Sequence, residues 1–240
     1  MTKILAVRLR DVLSRLISPE QQAFLGGRSI TDNVLIAQEF IFDLRRAPMR
    51  RSLMGIKLDM ERTYDRMRWN FVQQSLQGFG FPGRWISWIM GCVRGPSFAI
   101  LMNGTPSHFF ESTGGLHQGC PLSLLLFIIC ADALSRALRH TVSMQELEVY
   151  RPVVRATPIS HMLFADDCLS LAHSTQQAAR VICRILQDYC AVSDQCVNMS
   201  KSALCFSRKT RLAVKNSILK ILGEDKQVGT LRYLGIPISN

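Results

Sequence analysis

Two short apolar runs, MLFA at 162–165 and CLSLA at 168–172, are separated only by Asp166 and Asp167. Runs of this length bounded by turn residues read as strands, and the spacing predicts a β-hairpin with two carboxylates near its tip. A carboxylate beside a core needs a cation or hydrogen bonds to offset its desolvation. Asp is also a favoured turn residue, so the plainest reading of Asp-Asp is a turn and nothing more. A second segment weighs against that reading. Residues 54–60 alternate Ile56, Leu58 and Met60 with Lys57 and Asp59, and a strand there sets Lys57 and Asp59 on one face.

Asp59 thus offers a third carboxylate that can meet the other two in one sheet. Three hard oxygen donors are what a two-metal phosphoryl-transfer site needs, with the ions about 3.5–4 Å apart. An ordinary acid-rimmed α/β protein carries the same residue types without the chemistry. The charge balance bears on the choice: Lys plus Arg outnumber Asp plus Glu by 29 to 18, a formal +11, which a polyanionic partner such as nucleic acid explains most simply. With 240 residues, 48% of them hydrophobic, the chain can bury a sizeable core, which excludes disordered and collagen-like classes. The eight Cys show no C-x-x-C spacing and stand mostly among apolar residues, as reduced thiols do, so neither a zinc knuckle nor a disulfide framework is expected.

The first residues, MTKILAVRLRDVLSRL, interrupt their apolar run with Arg8, Arg10 and Asp11, which does not fit a secretory signal. The most apolar stretch, residues 122–131, is about half the length a bilayer needs and is expected to be a core helix. Helical spacing of Ile30, Val34, Ala37, Ile41 and Leu44, with Ser29 as N-cap and Arg45 and Arg46 at the end, predicts a helix over 30–46. A short helix over 69–77 is stopped by Gly78, Gly80 and Pro82. Asn103-Gly104 between residues 98–102 and 108–111 predicts a tight hairpin. Further helices are expected over 120–138 and after a Ser174 cap, the latter carrying Val181, Ile182, Ile185, Leu186 and Tyr189. A basic stretch runs from Lys201 through Arg208, Lys209, Arg211, Lys215 and Lys220; a solvated face is its default reading and phosphate contact the functional one.

Six blocks in order, QQAFLGGRSITDN, KLDMERTYDRMRW, GGLHQGCPLS, ISHMLFADD, SDQCVNMSKS and YLGIPIS, resemble the reverse transcriptase domain of LINE-type, non-LTR retrotransposons, closest to those of plants. The resemblance runs from Gln21 to Ser239. It implies an α+β right-hand polymerase with an antiparallel palm sheet and packed helices: fingers over approximately 1–50 and 70–111, palm over approximately 51–69 and 112–240, a primer-grip hairpin at 231–239, and no thumb. Asp59, Asp166 and Asp167 match the metal-binding, catalytic aspartates, which implies two Mg²⁺ ions, with Mn²⁺ as the alternative, and an RNA template, DNA primer and dNTP as partners. Tyr64 resembles the steric gate beneath the incoming sugar, against a plain core aromatic. Gln118 and Gly119 match a loop that contacts the template–nucleotide pair. Arg28 is a candidate clamp for the triphosphate, or else a loop arginine, and Lys201 a candidate general acid toward pyrophosphate, or else an exposed lysine. Tyr233, Leu234 and Gly235 resemble the primer grip. The family's target-primed insertion implies a nuclear site of action; no membrane partner is expected, because the most apolar stretch is too short to span a bilayer.

Several positions depart from the family pattern. Glu61, Arg62 and Thr63 replace the usual Ser-Lys-Ala, Leu124 stands where Pro is usual, and Asp194 replaces a Gly in a turn expected to need positive φ. The resemblance therefore leaves two functions open: an RNA-directed DNA polymerase, or a decayed or domesticated remnant that binds nucleic acid without polymerising.

Overall fold

The computed structural model describes residues 1–153, 156–198, 201–223 and 230–239. The helices are α1 (Thr2–Leu16), α2 (Ile30–Arg46), α3 (Trp69–Gly78), α4 (Gly83–Arg94), α5 (Pro121–Ser143), α6 (Gln176–Ser193) and α7 (Leu212–Leu222). The strands are β1 (Leu53–Leu58), β2 (Ser97–Phe98), β3 (Leu101–Met102), β4 (Thr105–Pro106), β5 (Phe110–Glu111), β6 (His161–Phe164), β7 (Asp167–His173), β8 (Ala203–Phe206), β9 (Thr230–Tyr233) and β10 (Ile236–Ser239). Strands β6, β7, β1 and β8 make an antiparallel sheet in that order.

Both faces of this sheet are covered, and the alternation along β1 sorts its side chains between them. Met54, Ile56 and Leu58 face a large core built with α1, α3, α5 and α6. Leu53 faces a smaller core with Leu169, Leu171, Ala203 and Cys205, closed by Phe40, Ile41 and Leu44 of α2 and by Tyr233 of the β9–β10 hairpin. Helix α5 is long and apolar enough to cross a membrane by length and composition, yet most of it is buried inside the protein. It extends beyond the expected 120–138 to Ser143, where the Thr141 and Ser143 hydroxyls donate to the Leu138 and His140 carbonyls of the preceding turn. Asp132, wholly buried, accepts the Ser18 N–H at 2.8 Å and the Arg136 guanidinium at 2.6 Å, which ties the end of α1 to α5.

The N-cap of α6 is Thr175, whose hydroxyl accepts the Ala178 N–H; Ser174 lies one residue too early, its N–H bonded to Ser52 O. The 98–111 hairpin forms around Asn103 and Gly104, both at positive φ, but it breaks into two short ladders, β3 with β4 and β2 with β5. The turn of the carboxylate hairpin is Ala165-Asp166 and not Asp166-Asp167. Phe164 pairs with Asp167, which puts Asp167 in β7, and Ala165 takes a positive φ of 56°. All eight cysteines are free, and burial pushes the Cys130, Cys168 and Cys205 thiols up to about 12.

His161, at the start of β6, lies fully buried between two hydroxyls, Ser135 Oγ at 2.7 Å from Nε2 and Ser160 Oγ at 2.8 Å from Nδ1. Burial, with the charge of Arg139 adding to it, holds its pKa down to about 3. In the unfolded chain the ring titrates near its ordinary value of about 6.5, so the unfolded state takes up the proton first as pH falls. Its contribution is present in full above about pH 6.5 and is lost at up to about 1.4 kcal/mol per pH unit on the way down. Thermal melts should therefore show Tm falling from pH 7 to pH 5, and His161→Gln should flatten that slope; an unchanged slope would contradict the assignment.

Candidate active site

Strand β1 ends at Leu58, paired with Cys168, so Asp59 and Asp167 each lie one residue past that pair at the same end of the sheet. The hairpin turn sets exposed Asp166 next to them. Asp59 is fixed through its backbone: its N–H donates to Ser202 Oγ at 3.1 Å and its carbonyl accepts the Asn198 N–H at 2.7 Å. Lys57 and Asp167, on the same face by alternation, form an ion pair at 3.2 Å. The Thr63 hydroxyl lies 3.4 Å from Asp166 Oδ2, a long hydrogen bond. Tyr64 stacks on Phe127 of α5 with ring centroids 5.2 Å apart, and burial, together with the charge of Asp166, raises its phenol pKa.

The loop over 114–119 is bound to the segment after Asp59. Leu116 N–H donates to Tyr64 O, Gly115 N–H to Met67 O, and the Trp69 indole to Gly115 O. Gln118, exposed, donates to Asp65 Oδ1 at 3.3 Å, and Gly119 has a φ of 83°. Lys201 is exposed in the turn between Asn198 and Ser202, the two residues that hold Asp59. Tyr233 is fully buried; its hydroxyl accepts from Asn33 at 3.1 Å, and burial and the charges of Cys168 and Asp167 raise its pKa. Leu234 and Gly235, both at positive φ, make the turn between β9 and β10.

Arg28 lies at the end of α1. Its guanidinium donates to four main-chain carbonyls, those of Ser14, Ile17, Ser18 and Gln21, capping the end of α1. Both of its terminal nitrogens are engaged in this way, so the forked end expected at a triphosphate is spent on the backbone. Arg66 and Arg68 bond Asp194, by its carbonyl and its carboxylate, and hold it at a φ of 64°. The departure from Gly at that position is thus accommodated. Sequence reasoning missed Thr63, Ser202 and the pairing of Lys57 with Asp167. Only the last had a signal, the alternation that set Lys57 on the face of Asp59.

Among the described residues no three His, Cys, Asp or Glu side chains close into a set able to hold a metal ion. The donor chemistry nevertheless fits a hard divalent cation. Mg²⁺ is usually bound by one or two carboxylates, with waters and substrate phosphates completing its shell, and does not require a cage made of protein alone.

The family model for reverse transcriptase (RNA-dependent DNA polymerase) matches residues 1–238. The chain belongs to the reverse transcriptase family. It is 24% identical over 239 residues to the transposon TX1 uncharacterized 149 kDa protein of Xenopus laevis, covering 100% of this chain and 18% of that protein. It is 25% identical over 208 residues to the retrovirus-related Pol polyprotein from type-2 retrotransposable element R2DM of Drosophila melanogaster, covering 86% and 18%. This reverse transcriptase chain therefore spans less than a fifth of the length of these relatives. Its fold matches the telomerase of Candida albicans, solved with a fragment of telomeric RNA, at a TM-score of 0.63 and 13% identity, covering 99% of this chain and 37% of that one. The likeness extends to an α+β fingers and palm architecture.

Gly115 offers a test of the loop. Its φ is 81°, and a Cβ there would sit 2.7 Å from the Asp65 carbonyl oxygen. Gly115→Ala should destabilise the protein by about 1–3 kcal/mol in denaturant melts, the scale of local backbone strain. A change within a few tenths of a kcal/mol would show that the loop does not depend on this approach.

Proposed function

We propose that this chain is the fingers and palm of an RNA-directed DNA polymerase from a LINE-type, non-LTR retrotransposon of plant type. It extends a DNA primer on an RNA template with dNTPs. The observation that carries this reading is the register of β1 and β7, which brings Asp59 and Asp167 to one sheet end beside Asp166. In this reading the sheet β6-β7-β1-β8 is the palm, and the β9–β10 hairpin with Tyr233, Leu234 and Gly235 supports the primer end.

Asp59 and Asp166 would hold two Mg²⁺ ions, with Asp167 as the more peripheral ligand. When bound, the ions make the primer 3′-hydroxyl a better nucleophile and stabilise charge on the leaving pyrophosphate. The 3′-hydroxyl loses its proton to solvent as its oxygen bonds the α-phosphate, the bond from the α-phosphorus to the bridging oxygen breaks, pyrophosphate leaves, and catalysis consists of positioning and electrostatics. Tyr64, braced by Phe127, presents its ring beneath the sugar. Gln118, held by Asp65, and Gly119 face the nascent pair, and Lys201 supplies a proton toward pyrophosphate. Exposed Arg208 and Lys209 contribute phosphate contacts. Arg28 would have to give up main-chain carbonyls at the end of α1 to clamp a triphosphate.

Primer extension on an RNA template with Mg²⁺ should proceed in the native chain and fall more than about 100-fold in Asp166→Ala, since a direct ligand should cost more than the roughly 10–100-fold of an outer-shell partner. Activity that persists in that variant would mean another site does the chemistry. Salt-dependent binding of template–primer, unaffected by Asp166→Ala and without extension, would favour a remnant that only binds. Tyr64→Ala should raise ribonucleotide incorporation relative to deoxyribonucleotide, read by product ladders in competing pools; an unchanged ratio would remove Tyr64 from the gate.

A further inference from the structure

Ala165 is the first residue of the two-residue turn that carries Asp166, and its φ of 56° is unusual for a residue with a side chain. In a two-residue hairpin turn the peptide groups of the central residues lie outside the ladder and ordinarily bond to water. Here one wholly buried side chain takes both polar groups of Ala165. Gln21 Oε1 accepts the Ala165 N–H at 3.0 Å, and Gln21 Nε2 donates to the Ala165 carbonyl at 3.2 Å. The same Oε1 also accepts the Ala23 N–H at 3.1 Å.

The backbone around Gln21 is locked to the same hairpin. Gln22 N–H donates to Leu163 O at 2.9 Å, Leu163 N–H donates to Glu20 O at 2.9 Å, and Gln21 bridges Leu163 in parallel. Arg28 bonds the Gln21 carbonyl, and the Ser18 amide is held by buried Asp132. Gln21 therefore sits in an isolated parallel bridge beside Leu163 of β6, after a turn at 19–20, with its amide side chain reaching across the tip. Nothing else in the set of side chains fits the task as well: an acceptor and a donor on one planar end, at the reach of two methylenes. Asn is a methylene short, Glu lacks the donor when ionised, and Met lacks both groups.

We infer that Gln21 is a positioning residue for the carboxylate site: by bonding both polar groups of Ala165 it fixes the turn that aims Asp166. The inference rests on the polymerase reading, and it explains why a buried Gln stands in the first of the six sequence blocks. Asp166 itself is exposed and its carboxylate meets the Thr63 hydroxyl at a long 3.4 Å, so its aim depends chiefly on the turn. Loss of Gln21 should loosen the carboxylate's aim more than it unfolds the protein.

The test titrates Mn²⁺ into the chain, with free ion read by electron paramagnetic resonance, in wild type, Gln21→Met and Asp166→Ala. Primer extension against Mg²⁺ concentration and thermal melts run alongside. Gln21→Met should weaken Mn²⁺ binding by about tenfold, the lower end for an outer-shell partner, and raise the Mg²⁺ needed for half-maximal extension by a similar factor. The KM for primer–template should stay within twofold of wild type, roughly the scatter of such a constant and not the tenfold of an outer-shell effect. Wild-type Mn²⁺ affinity in folded Gln21→Met overturns the inference. Hydrogen exchange of the native chain needs no variant: the Ala165 amide should be protected although it sits at a hairpin tip, and exchange at the unprotected rate also overturns it. Asp166-dependent Mn²⁺ binding in wild type without extension sinks the polymerase reading alone and leaves Gln21 to the binding and exchange arms. Absence of Asp166-dependent Mn²⁺ binding sinks both.

Discussion

The register of β1 against β7 is the constraint on which the sheet end depends, because it brings Asp59 level with Asp167 and next to the turn that carries Asp166. Groups from outside the sheet fix the backbone there. Strand β1 lies between β7 and β8 in the sheet. Its register puts Asp59 level with Asp167, and a slip of one residue would send Asp59 and Lys57 to the face that packs on α5. Apolar Met54, Ile56 and Leu58 on that face oppose any such slip, since it would exchange them for Lys57 and Asp59 in the core.

Polar interactions buried around the sheet extend the same control outward. Asp132 takes the Ser18 amide and Arg136, Arg28 takes the carbonyls at the end of α1, and Gln21 takes the turn before Asp166. On the other side, Ser202 and the Asn198 amide hold Asp59, and Gln195 donates to the Thr63 carbonyl at 3.0 Å. Each such group would cost free energy if left unpaired in the interior, so the arrangement specifies one geometry at the sheet end and disfavours others. The Lys57 pair with Asp167 neutralises part of the charge there. A bound cation would compete with Lys57 for that carboxylate.

Periodicity carried much of this fold into view. The alternation of 54–60 marked β1 and its two faces, and the spacing of Ile30, Ala37, Ile41 and Leu44 marked α2, because in both cases burial follows the repeat of the backbone. The three aspartates were legible as charges in apolar surroundings. Turn details were less so: Asp-Asp looked like the turn, yet the ladder begins at Asp167 and a plain Ala takes the positive φ, which Gln21 makes tolerable from 144 residues away. The part played by Arg28 was hidden for the same reason. A guanidinium in a glycine-bearing loop reads as ready for phosphate, and only the folded chain shows four carbonyls already there.

The most direct test of the central claim is anomalous diffraction at the manganese edge from crystals of the chain soaked in Mn²⁺. The account predicts density at the end of β1 and β7 within about 2.0–2.6 Å of carboxylate oxygens of Asp59 and Asp166, the range for hard divalent ions bound to oxygen. Lys57 should then have left Asp167. Density only elsewhere on the molecule, with the Lys57–Asp167 pair intact, would contradict it.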